Sequence, residues 1–508
     1  MNFTPLVRPH FLKRAARCEA WRDASADLQL SQLRRLLLTA ARTETGRRHG
    51  FSLIAGASDL YREYSSRVPL IGYEDIRRDV MRMIAGHPDV LWPGRCRWYA
   101  QSSGTSGGKS KYIPVTDASL SLNHYRGAED AVAHYIAHNP QTRIFAGKGM
   151  VLGGSFANEL KYLPEWVHVG DLSATLIQRI TPLADMVRVP SKKIALLSDW
   201  KEKLPALAKA AVQADVTNIS GVPSWFLTVI KLILKIKGAE TLAEVWPNLE
   251  VFFHGGISFA PYREEYERLT AGCPMHFVET YNASEGFFSV QNDPADRSML
   301  LLIDTGVFFE FIDLADPSAL PVAIDGVMPG RTYELVISAP NGLWRYRLGD
   351  TVKVESVNPV KITIAGRTKS FINAFGEELM EYNADQAIAD VCRDTGAAVR
   401  NYSAAPVFAD SGHRGRHEWI IEWETPPANI EEFASMLDRR LQALNSDYQA
   451  KRAGSIFLDP LTIVTARRGL FDRWLASSGS HKLGGQRKVP RLCNDRSMAD
   501  ALLALNER

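Results

Sequence analysis

Three stretches of this chain share one layout: a short apolar run that stops at a turn rich in glycine, serine or asparagine. Met150 to Leu152 leads into Gly153-Gly154, and Leu249 to Phe253 leads into His254-Gly255-Gly256. Met275 to Glu279 leads into Tyr281-Asn282-Ala283-Ser284-Glu285-Gly286. Segments with helical spacing lie between them. Apolar runs bounded by turn residues fit strands buried on both faces. Strands that alternate with helices suggest βα units, with sites at the strand ends.

The pattern then changes. From Met299 to Val354 it is mostly strand, including Val307 to Phe311 and Thr332 to Ile337. This implies a second sub-structure. A third region starts near Gly366, with alternating residues from Glu418 to Glu424, a helix from Ile430 to Asn445 and a polar, glycine-bearing tail from Gly469 to Arg491. Gly366-Arg367-Thr368-Lys369-Ser370 reads as a hinge, so residues 1–367 are expected to form one body and residues 368–508 a smaller domain. Upstream, Leu28 to Ala41 has the spacing of an amphipathic helix, and Gly50 to Gly86 reads as short helices punctuated by Pro69 and Gly72.

Composition narrows the class. The 508 residues suffice for a large core without a disulfide or metal staple. A net charge of +3 argues against a dedicated nucleic-acid binder. The five cysteines are scattered and none sits in a Cys-x-x-Cys pair, as expected of free thiols in a reducing compartment. Arg8, His10, Lys13 and Arg14 stand where a signal peptide would need an apolar run. The most apolar stretch, Trp225 to Ile236, is interrupted by Lys231 and Lys235 and is too short for a bilayer. A cytoplasmic enzyme with no membrane partner is expected.

The richest chemistry lies in Ser102-Ser103-Gly104-Thr105-Ser106-Gly107-Gly108-Lys109-Ser110-Lys111, which follows a short aromatic strand. Glycines let successive backbone N–H groups converge on anionic oxygens. Hydroxyls add donors and lysine adds charge, so the loop has the chemistry of a polyphosphate clamp. Three other readings compete. A Walker A loop would need a glycine where Ser103 stands and a helix after the lysine, where Pro114 would clash. A serine amidase would need an upstream lysine for its Ser–Ser–Lys relay, and the nearest is Lys13. A plain surface turn is the third.

With this loop the chain resembles the adenylate-forming superfamily, and in particular the auxin-responsive Gretchen Hagen family of acyl-acid amido synthetases. Ala41 to Phe51 resembles that family's N-terminal helix end, and Val68 to Asp75 follows at the matching place. The loop ends in Lys111-Tyr112-Ile113-Pro114-Val115-Thr116, as in the family. Leu444 to Tyr448, Gly469-Leu470-Phe471 and Leu483 to Arg491 continue the likeness to the C-terminus. The resemblance implies an α/β adenylate-forming fold. Its large N-terminal domain has α/β sheets plus a strand-rich, barrel-like part, and binds ATP and an acyl acid. A smaller, mobile α+β domain over residues 368–508 caps it and carries the catalytic lysine.

The resemblance also implies roles. Ser102, Ser103, Gly104, Thr105, Ser106 and Lys111 would hold phosphates. Tyr281 would stack on adenine, Ser284 would donate to the α-phosphate, and Glu285 would take part in catalysis as the ligand of Mg²⁺. Asp350, in Trp344-Arg345-Tyr346-Arg347-Leu348-Gly349-Asp350, would accept the ribose hydroxyls from the end of a strand. Arg345 and Arg347 receive no firm role: a solvated strand face is their plainer reading, and the alternative is that one of them holds Asp350 or a phosphate. Gly255 and Gly256 would let adenine approach, though a simple strand-end turn explains them equally. Arg367 would reach ribose or phosphates, although Thr368-Lys369 replaces the acidic residue usual after it. Lys488 would neutralise charge between carboxylate and α-phosphate, with Lys482 as the spare candidate. The implied reaction joins a carboxylic acid to an amine, in the first instance an amino acid, through an acyl-adenylate, in a monomer. An acyl-CoA ligase is the alternative, and a serine amidase the alternative from another class.

Overall fold

The protein is described by a computed structural model covering residues 2–507 except 103–109, 159, 161, 258, 260–261, 317, 368–370, 409–413, 456 and 478–488. Contacts divide the chain into two compact units, a larger one ending at Thr368 and a smaller one formed mainly by Lys369–Arg508.

In the larger unit β1 (Trp98–Ser102) and β2 (Lys111–Val115) form an antiparallel hairpin. The rest of the strands, in chain order, are β3 (Lys148–Val151), β4 (His168–Gly170), β5 (Arg188–Val189), β6 (Val216–Gly221), β7 (Val251–Gly255), β8 (His276–Ala283), β9 (Gly286–Val290), β10 (Met299–Leu301), β11 (Phe308–Asp313), β12 (Thr332–Ala339), β13 (Leu343–Val357) and β14 (Val360–Arg367). β4 joins β1 in parallel to complete a three-stranded sheet. The other strands make one 11-stranded sheet in the order β11-β12-β13-β14-β10-β9-β8-β7-β6-β3-β5.

β7, inside the parallel half, shows why its sequence is continuously apolar. Phe252 meets Phe226 of the helix Pro223–Lys237 at 5.4 Å between ring centroids and Tyr266 of the helix Arg263–Leu269 at 5.1 Å. Its neighbour Phe253 points to the opposite face and meets Tyr135 of the helix Tyr125–His138 at 5.9 Å. Successive side chains alternate faces, and helices cover both, so both must be apolar. Each such ring contributes about 1.5–3 kcal/mol by leaving water. The helix Pro223–Lys237 is bounded as its ends require: proline in the first turn, where no intrahelical donor is needed, and Gly238 beyond its last residue at φ +66°.

Pairing is parallel from β5 through β8 and antiparallel from β8 through β11. The strand-rich region is therefore not a separate sub-structure. It continues the same sheet, and one core joins Val251, Phe253 and Val278 to Ile337, Leu343 and Tyr346. The turn β8–β9 is the point of change: a two-residue hairpin returns the chain at once, where a crossover helix would have kept it parallel.

The smaller unit is α+β. β15 (Phe371–Ile372) pairs with β16 (Leu379–Met380), and β17 (Ala398–Val407), β18 (Arg416–Thr425) and β19 (Thr462–Ala466) form a second sheet. The helices Glu381–Thr395 and Ile430–Leu444 accompany them, the second capped by the Asn429 side chain on the N–H groups of Glu431 and Glu432. No disulfide joins the cysteines among the described residues. No helix among the described residues is long and apolar enough to cross a membrane.

Candidate active site

The Ser/Gly loop springs from the β1–β2 hairpin. Ser102 and Lys111 are register partners at its base, so the last residue before the loop and the lysine after it face each other. The chain leaves the loop as a strand containing Pro114 instead of a helix, which removes the Walker A reading. Ser103, Gly104, Thr105 and Ser106 lie outside the described residues, as do Lys482 and Lys488.

The second motif folds differently from its sequence reading. Tyr281, Asn282 and Ala283 are strand, and the turn is only Ser284-Glu285, with Ala283 opposite Gly286. Gly286 has no room for a side chain: a Cβ would stand 2.6 Å from the Phe288 ring. Asn123 pins the returning strand, its Oδ1 accepting from Phe287 N–H at 2.7 Å and its Nδ2 donating to Phe287 C=O at 2.9 Å. Asn123 sits in the π-helical turn Leu120–His124, which is how a helix side chain reaches a neighbouring strand here. Glu285 is buried, and its carbonyl accepts from Asn341 Nδ2 at 3.1 Å. The adjacent Pro340 carbonyl accepts from Thr116 Oγ1 at 2.5 Å. The 340–341 turn thus ties the hairpin tip to the end of β2, the strand that leaves the Ser/Gly loop.

Asp350 is not at a strand end; it lies within the 15-residue β13. Gly349 before it has φ +79°, and the register with β14 shifts just after Thr351, so the strand is distorted but not ended. Asp350 Oδ2 accepts a 2.6 Å hydrogen bond from the Tyr281 hydroxyl. Tyr281 is buried, with Phe288 edge-on to its ring at 5.1 Å. Arg367, the last residue of β14, is the backbone partner of Asp350.

Of the two arginines of the third motif, Arg345 is withdrawn from solvent, while Arg347 stays on an exposed strand position, its side chain 49% exposed. Arg345 is buried and clasps Glu310, with Nη2 at 2.8 Å from Oε1, while Nη1 donates to the carbonyls of Ser65 and Val68. Its φ of +47° and the register shift in the β12–β13 pairing break the simple alternation. Arg347 pairs with Glu334 at 2.5 Å. Arg345 is a structural clamp, and Arg347 is an exposed partner of the buried Glu334.

At the end of β7, Gly255 lies against β8. A Cβ there would stand 2.3 Å from the Thr280 carbonyl, and Gly256 follows at φ +83°. His254 is buried and stacks on Phe259 at 4.1 Å. Burial pushes its imidazole down to about 3, and its Nδ1 has no partner among the described residues. Beyond the end of β3, two strands over, Lys203 is buried, with Nζ donating to the carbonyls of Gly153 and Gly154 at 2.6 and 3.0 Å. Burial lowers it to about 8 against the pull of Asp171. Sequence reasoning missed Asn123, Asn341 and Lys203. Their partners lie far away in the chain, and no local signal marks them.

No group of three or more His, Cys, Asp or Glu side chains among the described residues could hold a metal ion. The lone carboxylate of Glu285 suits Mg²⁺, which commonly takes one or two carboxylates and fills its other positions with water and substrate phosphate.

Comparison with known proteins places the chain in a family. The GH3 family N-terminal domain model matches residues 14–275, the central domain model residues 300–367 and the C-terminal domain model residues 382–497. Indole-3-acetic acid-amido synthetase GH3.10 of Arabidopsis thaliana is 24% identical over 536 residues, covering 86% of this chain and 87% of its own. A probable indole-3-acetic acid-amido synthetase, GH3.4 of Oryza sativa subsp. japonica, is also 24% identical, covering 90% and 84%. The structure of AtGH3.15 acyl acid amido synthetase in complex with 2,4-DB matches with a TM-score of 0.60 at 20% identity, covering 97% of this chain and 96% of that one. A 2-hydroxyisobutyryl-CoA ligase in complex with 2-HIB-AMP and CoA matches with a TM-score of 0.58 at 13% identity, covering 94% and 91%. The fold is therefore that of the adenylate-forming enzymes. With three family domains matched in order, the first of them over more than half of the residues, this chain belongs to the GH3 family.

Proposed function

We propose that this protein is an ATP-dependent acyl-acid amido synthetase. A carboxylate oxygen attacks the α-phosphorus of ATP, the bond to the β-phosphate breaks, and pyrophosphate leaves with the electron pair. An amine nitrogen, in the first instance that of an amino acid, then attacks the acyl carbon of the mixed anhydride. It loses a proton as the acyl C–O bond breaks and AMP departs. The observation that carries this reading is the full-length family match, with its three parts in order.

Within it, Asp350 accepts the ribose hydroxyls, and Tyr281 holds that carboxylate in place while its ring backs the adenine. Gly255 and Gly256 leave room for the base. Ser102, Ser103, Gly104, Thr105, Ser106 and Lys111 hold the β- and γ-phosphates, and Ser284 donates to the α-phosphate. ATP enters as its Mg²⁺ complex, for which Glu285 is the protein ligand; the ion supplies charge neutralisation at the phosphates. Arg367 adds charge near the ribose. Lys488, or Lys482 in its place, belongs to residues 368–508, the mobile cap, and neutralises the reacting oxygens. Catalysis of the first step is chiefly positioning and electrostatics. The near-neutral charge suits a cytoplasmic monomer that binds neither nucleic acid nor membrane.

The fold likeness to a CoA ligase makes a thiol acceptor the second reading. Mass spectrometry of products from Mg-ATP, a panel of acids, and either amino acids or CoA separates the two. Amide and AMP are expected with amino acids. Thioester in their place would turn the assignment to the ligase, and neither product across the panel would count against both.

A further inference from the structure

The large sheet opens at the start of β8. β8 pairs with β9 from Thr280 onward, and the last contact toward the start of β8 is a double one: Gln291 N–H donates to the Glu279 carbonyl at 2.8 Å, and Gln291 Oε1 accepts from Glu279 N–H at 3.2 Å. Beyond it the chain after β9 turns away, and a cavity of about 310 Å³ occupies the opening. That volume is at the lower end of the range for small-molecule sites. The hairpin tip at Ser284 is seven residues further along from Phe277, roughly 23 Å at strand rise, so this is not the nucleotide motif.

The cavity is lined by His134, Arg263, His276, Gln291, Asn292 and Arg297, and no Asp or Glu is among the described lining residues. Arg297 makes no ion pair or side-chain hydrogen bond among the described residues. Arg263 lies over the rings of Phe259 and Phe277, at 5.0 and 5.7 Å, meets Glu267 at 3.7 Å, and is close enough to Glu279 to pull on its carboxylate. Two polar atoms of the lining residues are left over: His134 Nε2 and Asn292 Oδ1 are buried without a partner among the described residues, in side chains 3% and 7% exposed. An unmade buried hydrogen bond costs about 1–3 kcal/mol, and both of these atoms, closed off from solvent, belong to residues that line the cavity. Burial holds His134 down to about 4, so near neutral pH it acts as a neutral hydrogen-bonding group.

We propose that this opening is a second ligand site, which takes a small molecule bearing one oxyanion, phosphate or carboxylate, on a compact aromatic body. The guanidinium groups of Arg297 and Arg263 attract the oxyanion. Its body lies at the sheet edge between Tyr135 on one face and Phe277 on the other, and a small rotation of the His134 and Asn292 side chains completes their hydrogen bonding on it. The inference goes beyond the adenylation reading and does not depend on it.

Isothermal titration calorimetry of the full chain with phenyl phosphate, benzoate and inorganic phosphate tests it, each with and without a saturating non-hydrolysable ATP analogue. An aromatic probe is expected to bind with a Kd below about 1 mM, and its affinity should survive the analogue. The ranking of phenyl phosphate against benzoate tells which oxyanion the site prefers. Arg297→Gln, on an exposed residue, should weaken binding about tenfold or more. Asn292→Leu should also weaken it, with the melting temperature of both variants checked. The proposal is overturned by no binding of any probe up to about 10 mM, by displacement with the ATP analogue, or by an unchanged Kd in both folded variants.

Discussion

The Tyr281 hydroxyl donates a 2.6 Å hydrogen bond to Oδ2 of Asp350, linking the end of β8 to the middle of β13. β13 is the fourth strand from β8 in the sheet, which on a flat sheet would set them roughly 19 Å apart. The antiparallel half must therefore curl until the two side chains meet. A buried carboxylate held by one defined donor has a fixed orientation, which a pair of ribose hydroxyls would read directly.

Tyr281→Phe removes that donor and keeps the ring. A hydrogen bond to a charged group contributes about 1.5–3 kcal/mol, so KM for ATP should rise by at least about tenfold while kcat falls much less. Steady-state kinetics with ATP varied checks this. An unchanged KM would mean that Asp350 does not need Tyr281, or does not meet the nucleotide.

Gly255→Ala places a methyl group where the Thr280 carbonyl stands 2.3 Å away. β7 and β8 must move apart at their ends, at a cost of about 1–3 kcal/mol. Denaturant titration should show that loss, and calorimetry should show weakened ATP binding. Gly238→Ala, at a helix end with nothing within 4 Å, is the control: strained by its φ of +66°, it should leave ATP binding intact.

Arg345 and Glu310 form a buried ion pair. Arg345→Met strands the Glu310 carboxylate with the Tyr61 hydroxyl, 3.1 Å away, as its remaining side-chain donor. Breaking one side of such a pair costs about 3–5 kcal/mol, and the added change Glu310→Leu should restore much of it. The midpoints of denaturant unfolding for the single and double variants measure both effects. A single variant as stable as the parent would contradict the clamp.

Much of the candidate site could be named from the sequence because its motifs are local. The glycines after Phe253, the Ser/Gly run after Ser102 and the turn before Gly286 each announce themselves within a few residues. The partners of those turns were not legible. Arg345 read as solvated because Glu310 lies 35 residues back and two strands over. Tyr281 to Ala283 read as turn because asparagine and alanine are poor strand formers, and the β9 ladder overrides that preference. The merging of the strand-rich region into the first sheet depended on β8–β9 being a hairpin, which only the long-range pairing decides.

Three buried histidines set the acid side of stability. Burial lowers His124 and His134 to about 4 and His254 to about 3, against a model-peptide value near 6.5. As pH falls below about 6.5, the unfolded chain takes up protons at these groups while the folded chain does not. Each therefore removes stability at about 1.4 kcal/mol per pH unit until its folded value is reached. Asp130, pushed up to about 6 by burial despite Arg14, acts in the opposite sense below that pH. The balance predicts a melting temperature that falls between pH 7 and pH 5, with a shallower fall for His254→Phe. A pH-independent melting temperature would contradict it.

Acid-dependent exchange between radiolabelled pyrophosphate and ATP reads the first half-reaction without requiring the correct amine, and so bears on adenylation itself. With Mg²⁺ and a panel of aryl and alkyl acids, label should enter ATP for at least one acid and not without acid. That signal should be lost in Asp350→Ala and in Lys488→Ala, the latter with ATP binding retained. No exchange across the panel, or exchange undiminished in both variants, would contradict adenylation by this site.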